Sequence, residues 1–248
     1  MTGTLARDVA VVIAAHGDRG GSAPNARLIR HRDTLIASGG FRSVTMGVLN
    51  GEPGLEAALE AAAASAPAEI LVFPFFMAAG HFTETVLPDR IGKAGHGANA
   101  RLLAPLGHDP SLPRLMLAEA TAAASRAGFL LHEAELIIAG HGSRSGPASA
   151  LATKRAAEAL GAQGSFARVS IGLLEEPPFL FGKLAAARGA VVVSGFFSGE
   201  GLHAGEDVPE AIRACGARAV YAGAIGASPA IADLIRDAVM REMPRVRA

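Results

Sequence analysis

Apolar residues fall in two alternating kinds of run along the chain. Short runs rich in β-branched residues, at 9–14, 43–49, 70–76 and 101–106, read as strands buried on both faces. Between them lie stretches rich in Ala, Leu and Glu, such as 55–64 and 112–125, where apolar positions recur at helical spacing. Pro53, Pro88, Pro113, Pro177, Pro209 and Pro229 stand where helices are expected to begin, which suits a residue of fixed φ with no N–H to donate. Such alternation predicts right-handed crossovers and a parallel sheet with helices on both faces.

The pattern is written twice. Val11-Val12-Ile13-Ala14-Ala15-His16-Gly17 returns as Leu136-Ile137-Ile138-Ala139-Gly140-His141-Gly142, and Met46-Gly47-Val48-Leu49-Asn50 as Ile171-Gly172-Leu173-Leu174-Glu175. His16 and Asn50 are 34 residues apart, and so are His141 and Glu175. Val72-Phe73-Pro74-Phe75-Phe76 matches Val193-Ser194-Gly195-Phe196-Phe197, followed by His81 in one copy and His203 in the other. Gly107-His108-Asp109-Pro110 matches Gly226-Ala227-Ser228-Pro229. Four matches in one order, at offsets of 119 to 125, indicate a duplication with its junction near 126–133. We therefore expect two similar α/β domains, 1–127 and 128–248, each with a roughly four-stranded parallel sheet. The cleft between them, at the carboxyl ends of the strands, is the expected ligand site.

Composition narrows the function classes. The chain has 248 residues, half of them apolar and 19% charged, with a formal net charge of zero. That removes the usual reason to expect a nucleic-acid partner, since phosphate binding needs clustered Lys and Arg. No apolar run reaches the ~18 residues of a membrane span, and the first residues lack the pattern of a secretory signal. A single cysteine, Cys215, allows no internal disulfide, so a cytoplasmic location is expected.

The polar residues at the predicted strand ends carry the chemistry. His16 and His141 each end a first strand, Asn50 and Glu175 each end a second, and His81 and His203 follow the third. Two imidazoles and a carboxylate make an open site for a borderline divalent ion. The same groups accept protons near neutrality. Metal insertion into a porphyrin-like ring needs both properties, because two pyrrole protons leave as the metal enters.

His-Gly-Ser-Arg at 141–144, Gly-Leu-Leu-Glu at 172–175 and His203-Ala204-Gly205-Glu206-Asp207-Val208-Pro209 resemble the motifs of class II chelatases, specifically the CbiX/SirB-type sirohydrochlorin chelatases in their long, duplicated form. The resemblance spans essentially the whole chain, including Ala104-Pro105-Leu106-Gly107-His108-Asp109-Pro110. It implies flavodoxin-like domains, a tetrapyrrole as small-molecule partner and no organic cofactor. It also implies ATP-independent insertion of Co²⁺, with Fe²⁺ or Ni²⁺ as alternatives, in cobalamin or sirohaem biosynthesis. His141, Glu175 and His203 are then the catalytic and metal-binding set, with His16 and His81 as further candidates for metal or substrate. The first copy departs from the pattern: it has Asn50 for the glutamate, and Thr85 where the second copy has Asp207.

Arg19 and Arg144 occupy matching places after the leading histidines and suit the ring's carboxylates as bidentate donors. The loop at 17–22 is not a Walker or dinucleotide fingerprint. Arg30-His31-Arg32 falls within a helical stretch, and His96, His108 and His132 have no partner in the repeat. No Gly-x-Ser-x-Gly elbow follows a strand, which counts against a hydrolase. The rival reading is a non-catalytic tetrapyrrole or metal carrier with the same fold; on either reading a monomer or homodimer is expected.

Overall fold

A computed structural model of the chain describes residues 6–17, 25–97, 99–144, 146–199, 201 and 203–243, with the side chain of His203 left out. The first sheet is built from β1 (Val9–Ala15), β2 (Ser43–Val48), β3 (Glu69–Pro74) and β4 (Ala100–Leu102), in the order β2-β1-β3-β4, all parallel. The second sheet repeats that order as β6-β5-β7-β8, with β5 (Glu135–Gly140), β6 (Arg168–Leu173), β7 (Val191–Gly195) and β8 (Ala219–Ala224). This is the strand order of a flavodoxin-like sheet, whose switch point lies between the first and third strands. The fourth strand of the first sheet is three residues long, shorter than the apolar run. Pro105 has no N–H to continue an edge ladder, and a 3₁₀ turn over Leu106–His108 follows it.

All seven residues of β1 are buried, as expected of a strand covered on both faces. Ala10, Val12 and Ala14 pack with Leu55, Ala58, Leu59 and Ala62 of α2 (Leu55–Ala64) and with Leu87 and Ile91 of α3 (Leu87–Lys93). The other face carries α1 (Ala26–Ser38), against β2, and the chain's last helix, against β3. In the second sheet Ile137, Ala139, Val191 and Val193 pack with Leu180 and Leu184 of α6 (Leu180–Ala186) and Val208 of α7 (Val208–Cys215). There α4 (Leu112–Arg126) lies on β7 and β8, and α5 (Ala148–Gly161) on β5 and β6. No described helix is long and apolar enough to cross a membrane.

The sequence copies and the compact units divide the chain differently. One unit is 1–109 with 229–248, the other 110–228. Each copy therefore gives its last helix to the other unit: α4 to the second, and α8 (Ile231–Glu242) to the first. Packing explains the assignment: α4 lies on β7 and β8 and α8 on α1 and β3, with Met116, Ala120, Ala123 and Ala124 of α4 and Ile231, Ala232, Ile235 and Val239 of α8 fully covered. Polar contacts fix the helices within their units. Arg241 pairs with Asp109 and Arg101 with Glu242 in the first, and the Ser228 hydroxyl donates to Glu119 at 2.6 Å in the second.

Candidate functional site

In each unit the first strand ends in a His-Gly step whose backbone locks it to the end of the second strand. The amide of Asn50 donates to the carbonyl of His16 at 3.0 Å, and that of Glu175 to His141 at 3.0 Å. Gly17 and Gly142 have φ of +97° and +73°, a region that favours glycine. A Cβ at Gly17 would come within 2.0 Å of the Asn50 carbonyl oxygen, and one at Gly142 within 2.9 Å of Glu176 Cγ. The repeated His-Gly pair is thus a requirement of the close approach that brings the two strand-end side chains together.

The side-chain pairs differ. In the second unit His141 Nε2 faces Glu175 Oε1 at 3.8 Å, both groups about two-fifths exposed. His141 Nδ1 lies 2.9 Å from the Gly142 carbonyl oxygen. A carbonyl only accepts, so this contact calls for the proton on Nδ1 and leaves Nε2 on the side of Glu175. Glu176 Oε1 accepts from the Ser143 amide at 2.8 Å and holds the loop that follows His141. In the first unit His16 Nε2 meets the amide Nδ2 of Asn50 at 3.5 Å, with no carboxylate in the pair.

The third member of each set follows β3 or β7, and here the structure revises the sequence pairing of His81 with His203. The amides of Phe75 and Phe196 donate to Ala14 and Ala139, each at 2.7 Å, which makes those residues equivalent. Gly80 accepts from Thr83 and Glu84, and Gly201 in the same way from Ala204 and Gly205. A π-helical turn then runs over Phe82–Val86 in one unit and His203–Asp207 in the other. The residue opposite His203 is therefore Phe82, not His81, and the residue opposite Asp207 is Val86, not Thr85. The Phe82 ring packs edge-on against His16, with centroids 4.9 Å apart, and stacks on Phe76 at 6.1 Å. His81 is exposed and touches the same ring at 5.7 Å. The first unit thus keeps one of three ligand-type positions, with an amide and a phenyl ring at the other two.

Among the described residues no three His, Cys, Asp or Glu side chains group closely enough to hold an ion. Two members of the second unit's set, His141 and Glu175, come together, and the third, His203, opens the π-helical turn with its side chain outside the description. Arg144 is exposed on the loop after Ser143, and Arg19 lies outside the described residues. Sequence reasoning missed two residues: Glu176, whose signal was the doubled acid Glu175-Glu176, and Phe82.

The family model of CbiX matches residues 10–123 and again 135–242. The chain belongs to the CbiX family. A "Probable sirohydrochlorin cobaltochelatase" of Halobacterium salinarum is 25% identical, over 91% of this chain and 89% of its own length. CbiX described as the terminal enzyme for biosynthesis of sirohaem in denitrifying bacteria is 29% identical, with a TM-score of 0.77 over 94% of this chain and 99% of its own. SirB from Bacillus subtilis, solved with Fe³⁺, has a TM-score of 0.80 at 16% identity, over 94% of this chain and 95% of its own, a likeness of fold. The match of one family model to both halves agrees with the duplicated, two-sheet architecture.

Proposed function

We propose that this CbiX-family chain is a sirohydrochlorin chelatase that inserts Co²⁺ without a nucleotide, and that its second unit does the work. The observation that carries this reading is the His141–Glu175 pair, at 3.8 Å, set against the His16–Asn50 pair of the first unit. A carboxylate attracts a divalent ion and accepts a proton, whereas an amide carries no charge to do either. His141, with Nδ1 engaged by the Gly142 carbonyl, offers Nε2 to the incoming metal and then to a ring proton. Glu175 draws in the ion and takes the second proton. His203 supplies the second imidazole from the position that Phe82 holds in the first unit. Arg144, exposed on the loop that follows His141, suits the ring's carboxylates.

Kinship with the Halobacterium relative named for cobalt supports Co²⁺, and the CbiX of sirohaem biosynthesis makes Fe²⁺ the first competitor. The absence of a Walker-type loop from the sequence supports independence of ATP. The test is the visible spectrum of sirohydrochlorin mixed with Co²⁺ and the protein, with no nucleotide present. Rate enhancement over the spontaneous reaction is expected. A rate equal to the spontaneous one across metals and pH overturns the reading in favour of a carrier.

A further inference from the structure

The repeats differ at a second place, beside the strand that bears Glu175. Backbone bridges pair Val48 with Gly54 in the first unit and Leu173 with Phe179 in the second, so Gly54 corresponds to Phe179 and Glu56 to Phe181. The next helices, α3 and α7, begin at Leu87 and Val208, which sets Arg90 opposite Ala211. In the first unit the Arg90 guanidinium grips the Glu56 carboxylate and donates from Nη1 to the Leu49 carbonyl at 2.8 Å. That one side chain fills the space between two helices and the end of β2.

In the second unit Phe181 and Ala211 replace the ion pair, and Leu174 corresponds to Leu49. With Arg90's counterpart cut back to a methyl group, the space stands open. Leu173, Leu174, Phe179, Leu180, Phe181 and Ala211 line a groove of about 400 Å³ there. Phe179 and Phe181 are 50% and 55% exposed, unusual for two neighbouring aromatic side chains on one groove. The volume falls within the range of small-molecule sites, and the lining includes Leu173 and Leu174, the two residues that precede Glu175. The open groove is thus in the half that has the carboxylate, and the filled space in the half that has Asn50.

We propose that this groove seats the flat, apolar face of the tetrapyrrole, with Phe179 and Phe181 against the ring system. The assignment rests on the chelatase reading above and adds substrate-binding residues to it. A conjugated macrocycle matches the groove because its faces are broad and apolar and stack on aromatic rings, while its carboxylates sit at the rim, where water reaches them. Covering the two phenylalanines removes apolar surface from water in the complex alone.

The first repeat supplies its own test. The double variant Phe181→Glu/Ala211→Arg transplants the plug that the first unit already carries. Binding of metal-free sirohydrochlorin is followed by its fluorescence, Co²⁺ binding by equilibrium dialysis and oligomeric state by light scattering. Tetrapyrrole affinity should fall on the order of tenfold or more, the loss expected when an aromatic contact surface is removed. Co²⁺ binding should be unchanged, and Phe181→Tyr should keep nearly wild-type affinity. Should the double variant fail to fold, Phe179→Ala/Phe181→Ala is read by the same three measurements. Wild-type tetrapyrrole affinity in the folded variant overturns the groove's role. A shift from dimer to monomer at unchanged affinity also overturns it and makes the groove an interface between copies. If wild-type protein binds no sirohydrochlorin at all, the chelatase reading falls and the groove's assignment with it.

Discussion

Replacing Glu175 by Gln tests whether charge at this strand end matters, because the change keeps shape and hydrogen-bonding reach while removing one negative charge. Two unit charges about 4 Å apart interact by about 1 kcal/mol in water and about 4 kcal/mol at an effective dielectric constant of 20. Glu175 is 41% exposed and His141 39%, so the environment lies between these limits. A loss of about 2–3 kcal/mol in stabilising the incoming ion or the imidazolium left after proton transfer corresponds to roughly 30- to 150-fold in rate. His141→Ala removes the partner that faces the carboxylate and should cost about 10²-fold or more, as loss of an acid–base group does. His16→Ala should cost clearly less, since its neighbours are an amide and a phenyl ring. The assay is steady-state Co²⁺ insertion into sirohydrochlorin by absorbance, with each variant first checked for folding by circular dichroism. Near-normal turnover of His141→Ala and Glu175→Gln beside an inactive His16→Ala refutes the assignment and moves the chemistry to the first unit.

Two further outcomes follow from the contrast between repeats. In a His141→Ala background that has lost tight Co²⁺ binding, adding Asn50→Glu and Phe82→His should restore a site in the first unit, read by equilibrium dialysis and the cobalt absorption bands; no gain of binding means that those two positions are not what silenced it. The Arg90 hydrogen bonds hold the Glu56 carboxyl below its ordinary range, so the stability this pair contributes is present above that range and is lost as pH falls through the lowered value. With Glu56 46% exposed, the contribution is about 1 kcal/mol or less. The gap in denaturation midpoint between wild type and Glu56→Gln should close on acidification, and a gap independent of pH argues that the ion pair is not its source.

The parts of the fold that depend on local pattern were legible in the sequence. β1, β2 and β3 fall where β-branched runs predicted them, and His16, Asn50, His141 and Glu175 stand at strand ends as the repeat implied. What escaped depends on contacts between distant residues. Nothing in the composition of 112–125 says which of two equivalent sheets will bury it, and α4 covers β7 and β8. Glu56 and Arg90 are 34 residues apart, and neither is unusual on its helix until the fold joins them. The pairing of His81 with His203 failed for a different reason: identity of residue type was allowed to override spacing. Phe75 and Phe196 on one side, and Pro88 and Pro209 on the other, share an offset of 121, so no insertion separates the copies between them. Held constant, that offset puts Phe82 opposite His203.

The divergence between the copies has one physical logic. A duplicated fold begins with two equivalent metal-type sites and two equivalent helix junctions, and selection acts on each copy separately. The first copy has Asn50 where the second has Glu175, and Phe82 where the second has His203, with the Phe82 ring edge-on to His16. Neither Asn50 nor Phe82 offers an anion to a divalent ion, while the helix junction of this copy is tied down by Arg90 and Glu56. The second copy has the acid and no ion pair at the corresponding junction, where Phe179 and Phe181 are exposed. Loss of that pair gives up a small surface electrostatic contribution, and two exposed phenylalanines are unfavourable in water unless something covers them. Both costs fall on the copy to which we assign the chemistry, which is where uncompensated local features are expected when they serve function rather than folding.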